Sequence, residues 1–64
     1  MKADEIRKAV DAGKTVKWSN DGYEVQLWAS GYEIVCLAND HAIGLTYRDN
    51  TTLNGKEEDF YVKS

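Results

Sequence analysis

The hydrophobic period of this 64-residue chain changes once, near residue 14, and that change constrains its fold more than any other feature. Within Ala3–Gly13 the apolar residues Ile6, Ala9 and Val10 follow the i, i+3, i+4 spacing of one helical face. Asp4 and Glu5 fall in the first turn, where the helix dipole favours negative charge. Gly13 followed by Lys14 suits a C-terminal cap with a basic neighbour. A helix of about ten residues does not persist alone in water, so Ile6, Ala9 and Val10 must pack against something.

From Thr15 onward the period is two, and turn residues recur at Asn20-Asp21-Gly22, Ser30-Gly31, Asn39-Asp40, Asp49-Asn50 and Asn54-Gly55. This predicts a meander of short antiparallel strands near 15–19, 23–29, 32–38 and 42–48. Residues 59–62 are either a fifth strand along the first or a cover for the sheet. The fold class expected is therefore α+β over a single domain, 1–64: an N-terminal helix packed on a sheet of four strands, or five with 59–62.

Register assigns the two faces, because a slip of one residue exchanges them. With Ser30-Gly31 and Asn39-Asp40 as two-residue turns, Leu27 lies opposite Ile34, Val25 opposite Cys36, Cys36 opposite Ile43, Ile34 opposite Leu45 and Tyr32 opposite Tyr47. One face then holds Val16, Trp18, Tyr23, Val25, Leu27, Ile34, Cys36, Ile43, Leu45 and Tyr47, which suffices for the helix. The other holds Lys17, Glu24, Gln26 and Glu33, but also Trp28, Val35, Leu37, Ala42 and Gly44. Being half apolar, it calls for a cover, either the segment Leu53–Val62 or a partner.

Composition removes several classes of function. One cysteine, Cys36, cannot form an internal disulfide, and one Cys with one His, His41, is too few for a Cys/His zinc site. No cofactor loop is present, since none of the glycines forms a phosphate-binding pattern. No apolar run approaches the roughly 18 residues of a membrane span, and no basic-then-apolar leader opens the chain, so a soluble, cytoplasmic protein is expected. Residues 1–19 carry five Lys/Arg against three Asp/Glu and residues 20–64 three against eight, which divides the net −3 into +2 and −5. The acidic bulk disfavours nucleic acid as a partner.

Few residues suggest chemistry. His41 flanks an exposed turn while Cys36 points into the helix-covered face, so no nucleophile–base pair forms and no catalytic residue is expected. Asp49, Glu57, Glu58 and Asp59 make the densest acidic cluster. It reads as a solvated loop or as a surface that imitates nucleic-acid phosphates. Asn54-Gly55 reads as a tight turn in which glycine supplies a positive φ. Trp28, beside the hairpin tip Ala29-Ser30-Gly31, is the most suggestive single residue, since large aromatics ringed by polar groups are favoured at binding hot spots. Its alternative is burial beneath Phe60 or Tyr61 in the same chain.

The run Ala3-Asp4-Glu5-Ile6-Arg7, then Val10-Asp11-Ala12-Gly13-Lys14, Trp18-Ser19-Asn20 and Tyr23-Glu24-Val25, with Ile43-Gly44-Leu45 and Leu53-Asn54-Gly55-Lys56-Glu57-Glu58-Asp59-Phe60, resembles small uncharacterised proteins of bacteriophages and prophages. The resemblance implies an accessory protein acting on a host protein and carries over no site residues. The function expected is thus a non-enzymatic protein-interaction module. Its apolar anchors are Trp28, Val35 and Leu37, ringed by Glu24, Gln26 and Glu33, and its partner is a host protein or a second copy. The alternatives are an acidic mimic through Asp49, Glu57, Glu58 and Asp59, and a single-strand binder through Lys2, Arg7, Lys8, Lys14 and Lys17.

Overall fold

The computed structural model describes residues 1–63; Ser64, the last residue of the expected domain, lies outside them. Helix α1 (Ala3–Asp11) is followed by strands β1 (Thr15–Trp18), β2 (Asn20–Trp28), β3 (Gly31–Cys36) and β4 (Ala42–Gly44), a single 3₁₀ turn at Glu57–Asp59, and β5 (Phe60–Lys63). The five strands form one antiparallel sheet in the order β4-β3-β2-β1-β5. The C-terminal segment therefore pairs along β1 and does not lie across the second face.

The helix ends carry the local signals expected of them. The Glu5 carboxylate accepts a hydrogen bond from the Lys2 amide at 2.9 Å, which satisfies one of the orphan donors of the first turn. At the other end Lys14 N–H donates to the Ala9 carbonyl and Gly13 N–H to that of Val10, with Gly13 at φ 82°. This is a Schellman cap, and the left-handed residue in it is glycine because a Cβ is disfavoured there.

Ile6 and Ala9 of the helix join Val16, Val25, Ile34, Leu45 and Phe60 in the buried core. Trp18 closes one end of it, edge-on to Tyr23 at 5.1 Å between ring centroids and tilted on Phe60 at 6.3 Å. The helix packs over β1 and β2. With side chains a helix is about 10 Å wide, whereas five strands spaced at about 4.8 Å span about 19 Å between the outer two. Half the width of this face is therefore left open, and Leu27, Ile43 and Tyr47, assigned to it by the sequence pattern, are 57%, 48% and 56% exposed.

The observed register differs from the expected one by two residues at both later hairpins. Val25 pairs with Ile34 and Trp28 with Gly31, so the turn is Ala29-Ser30, and Gly31 opens β3 at φ 120°. Ile34 pairs with Ile43 and Val35 with Ala42, so the next loop is longer than the Asn39-Asp40 turn. There Asp40 N–H donates to the Cys36 carbonyl at 2.8 Å and Cys36 N–H to that of His41 at 2.7 Å, with Asp40 at φ 59°. A shift of two preserves every face assignment, so each residue of these strands lies on its expected side despite the different pairs. Strand β4 also ends at Gly44 instead of running to 48. Beyond it the chain doubles back through the Thr46–Leu53 bridge, with Tyr47 N–H donating to Thr52 and Asn54 N–H to Leu45.

Gly55 is needed for a reason other than a positive φ. A Cβ there would sit 2.6 Å from Trp18 Nε1 and 3.1 Å from Cε2, so the loop backbone lies directly on the indole edge. Gly55→Ala should destabilise the protein by about 1–3 kcal/mol, the range for overpacking a filled site. That lowers Tm by at least about 4 °C in a domain of this size. Thermal unfolding followed by circular dichroism checks it, and the loss should shrink when Trp18→Phe supplies the missing space.

Candidate functional site

The sheet face opposite the helix carries no second layer among the described residues. Its side chains come from alternate positions, and cross-strand pairing sets them in rows: Ala42, Val35, Glu24, Lys17 and Tyr61 in one, Gly44, Glu33 and Gln26 in the next. Val35 is only 2% exposed although it lies on the side of the sheet opposite the helix. It pairs with Glu24 on one side and Ala42 on the other, and Glu33 and Leu37 flank it along the chain. Val35 thus supports this face from below and offers no contact area of its own, which removes it from the set of exposed anchors.

The polar residues of the face form one connected line. Lys17 is 7% exposed, and its Nζ lies 3.3 Å from Glu24 Oε1 and donates to the Asp21 carbonyl at 3.3 Å. Glu24 Oε2 accepts from Gln26 Nε2 at 2.9 Å, and Gln26 Oε1 accepts from Trp28 Nε1 at 2.8 Å. Beyond Lys17, the Asp21 carboxylate accepts from Tyr61 Oη at 2.6 Å and pairs with Lys63, tying β5 to the start of β2 across β1. The Lys63 ammonium and the Tyr61 hydroxyl hold the Asp21 carboxyl below its ordinary pKa, and the same bond raises that of Tyr61. An almost buried ammonium is tolerable here because a carboxylate and a carbonyl meet it.

Trp28 and Leu37, at 40% and 44%, and Tyr61, at 37%, are the exposed large hydrophobic residues of this face, and Tyr61 is tied through its hydroxyl to Asp21. Neither Phe60 nor Tyr61 covers Trp28: Phe60 is in the core on the other face and Tyr61 lies along β1. The indole of Trp28 is instead fixed by its bond to Gln26, and fixing a side chain before it binds removes part of the entropy cost of association. From the pairing of Trp28 with Gly31 to Leu37 is about 20 Å along β3 at the usual strand rise. Glu33, between them, accepts a hydrogen bond from Ser30 Oγ at 3.3 Å.

The other candidates are placed differently. Cys36 and His41, expected to lie apart, line one cavity of about 210 Å³ on the helix side with Trp18, Tyr23, Ile34 and Ile43. No side-chain hydrogen bond joins the thiol to the imidazole among the described residues. No group of three or more His, Cys, Asp or Glu side chains there is arranged to hold a metal ion. No helix is long and apolar enough to cross a membrane. Of the basic residues considered together as a strand-binding set, Lys17 belongs to the sheet face opposite α1 and is consumed by Glu24. Those five cations therefore do not share a surface.

The acidic cluster is also divided. Asp49 accepts from the backbone amides of Thr51 and Thr52 at 3.0 and 2.9 Å and from Thr52 Oγ1 at 2.6 Å, so its carboxylate organises its own loop. Glu57, Glu58 and Asp59 form the 3₁₀ turn, with Glu57 and Glu58 exposed. No protein family, no curated protein and no solved structure matches this chain.

The Thr52 hydroxyl and amide, with the Thr51 amide, lower the pKa of Asp49 from 3.8 to about 2. A carboxyl depressed on folding contributes stability that is complete above its unfolded value and is lost as pH falls through the folded one. The 47–52 loop should therefore loosen between about pH 4 and pH 2. Side-chain carboxyl NMR should place the Asp49 midpoint near 2, and Asp49→Ala should remove the pH dependence of the Thr51 and Thr52 amide shifts.

Proposed function

We propose that this protein is a non-enzymatic interaction module that docks another protein on the open sheet face, with Trp28 and Leu37 as its apolar anchors. One observation carries the reading: Trp28 remains 40% exposed on an uncovered face while its indole N–H is held by Gln26. Solvated tryptophans held in one orientation are the residues most often found to dominate binding energy. Glu24 is already neutralised by Lys17, whereas Glu33 meets only the Ser30 hydroxyl. The complementary surface is therefore an apolar patch with a Lys or Arg placed to meet Glu33.

Size bounds the affinity. About 20 Å of strand length by about 19 Å of sheet width gives a planar area near 400 Å². That is about half the 800 Å² per partner of a standard stable interface. The association is accordingly a reversible one resting on two anchors. On the sequence resemblance to bacteriophage and prophage proteins, the partner is a protein of the bacterial host.

The test compares variants in affinity capture from a bacterial lysate. A protein retained by the parent chain should be lost with Trp28→Ala and with Leu37→Ala and kept with Lys8→Ala on the outer side of the helix. Retention should survive 0.5 M salt, because apolar contacts are not screened. Retention unchanged by Trp28→Ala, in a variant whose thermal unfolding matches the parent, overturns the reading, as does loss of binding at moderate salt alone.

A further inference from the structure

A cavity lies on the helix side, where the cover of α1 stops short of the β3–β4 edge. It measures about 470 Å³, within the range of small-molecule sites, and is framed by Arg7 of the helix, Tyr32 of β3, and Tyr47, Arg48 and Asn50 of the following loop. Its charges are two guanidinium groups against the single carboxylate of Glu33. That side chain belongs by register to the opposite face and accepts from Ser30.

Arg7 is held from three sides. It stands 5.9 Å from the centroid of the Tyr32 ring, its Nη2 donates to the Asn50 carbonyl at 2.7 Å, and its Nη1 lies 3.5 Å from Asp4. Tyr32 is itself fixed, since its hydroxyl donates to Asp11 at 2.6 Å. One hydrogen bond uses one of the five N–H donors of a guanidinium, so the group stays oriented and keeps donors to offer. Arg48 makes no salt bridge or side-chain hydrogen bond among the described residues, and the adjacent Tyr47 is 56% exposed. A positioned arginine, a second uncommitted arginine and an exposed aromatic ring on one concave wall are the groups that bind an anion attached to a planar ring.

We propose that this cavity binds a nucleotide, either free or as one unit of a single strand, with the phosphate between Arg7 and Arg48 and the base against Tyr47. The site shares Glu33 with the sheet face assigned to protein docking but neither of its apolar anchors. Asp4 pairs with Arg7 and Asp11 with the Tyr32 hydroxyl, so an anion is met here by directed guanidinium N–H donors and not by a net positive field.

The test is a ¹H–¹⁵N NMR titration of the full chain with adenosine monophosphate, with an eight-residue oligothymidylate, and with inorganic phosphate. Backbone amides of Gly31, Tyr32, Tyr47 and Arg48 should shift together, and phosphate alone should bind more weakly than either nucleotide. Arg48→Gln and Tyr47→Ala should each weaken binding about tenfold, equivalent to about 1.4 kcal/mol, with the remaining spectrum unchanged. Tighter binding of the oligomer than of the monophosphate identifies a single strand as the source; equal or weaker binding identifies the free nucleotide. Absence of shifts at millimolar ligand overturns the proposal. So do shifts that persist in both variants, or shifts centred on Lys2, Lys8 and Lys14.

Discussion

A nine-residue helix has to serve a five-stranded sheet, and it is too narrow to do so. It closes a core over Val16, Val25 and Ile34 and leaves the β4 side of the same face and the whole opposite face without a second layer. The chain compensates with single interactions. The loop after β4 is carried back toward the helix, where the Asn50 carbonyl takes a bond from Arg7 and the Glu57 carbonyl one from the N-terminal amine. Gly55 then lies flat against Trp18, the aromatic that joins Tyr23 to Phe60. In place of a second helix the chain uses a loop pinned at three points, and the cavity framed by Arg7 and Asn50 borders the first of them.

The sequence pattern is informative about faces and poor on pairs, for one physical reason. Alternation has period two, so any even error in register leaves each residue on its correct side. Ala29-Ser30 and Ser30-Gly31 are equally plausible turns by composition, and only the positive φ of Gly31 at the head of β3 separates them. The early stop of β4 was hidden because Ile43, Leu45 and Tyr47 continue the alternation beyond Gly44, although by then Leu45 packs in the core from outside the strand. The role of Gly55 is hidden for a related reason: the sequence reveals that a residue lacks a side chain, but not that an indole from 37 positions earlier occupies the space. The exposed site residues were legible to a similar degree. Trp28 stood out at a polar-flanked position. The bond that fixes it, to the residue two before it on the same face, follows from strand geometry once that face is known to be open.

Dividing charge along the chain, +2 then −5, also proved a poor guide to surfaces, because antiparallel pairing mixes the two segments. Lys17 from the basic segment is consumed by Glu24 of the acidic one. Arg48, from within the acidic segment, joins Arg7 from the basic one on a single wall. Asp49, which looked like part of an acidic surface, spends its carboxylate on the amides and hydroxyl of the two threonines that follow. A charge counts toward a surface only after its local partners are subtracted, and those partners are set by turns and register.

Strand β3 links the two surfaces and also keeps them separate. Tyr32 and Ile34 face the helix and Glu33 and Val35 the open side, so consecutive residues of one six-residue strand belong to different sites. The two sites meet at the β3–β4 edge, where Glu33 borders the cavity and also belongs to the open face. Mechanical coupling is a different matter. Tyr32, whose hydroxyl donates to Asp11 and whose ring meets Arg7, is the backbone neighbour of Glu33, which register sets opposite Gln26. A partner that flattened or twisted the open face would therefore move the Tyr32 ring with respect to the helix.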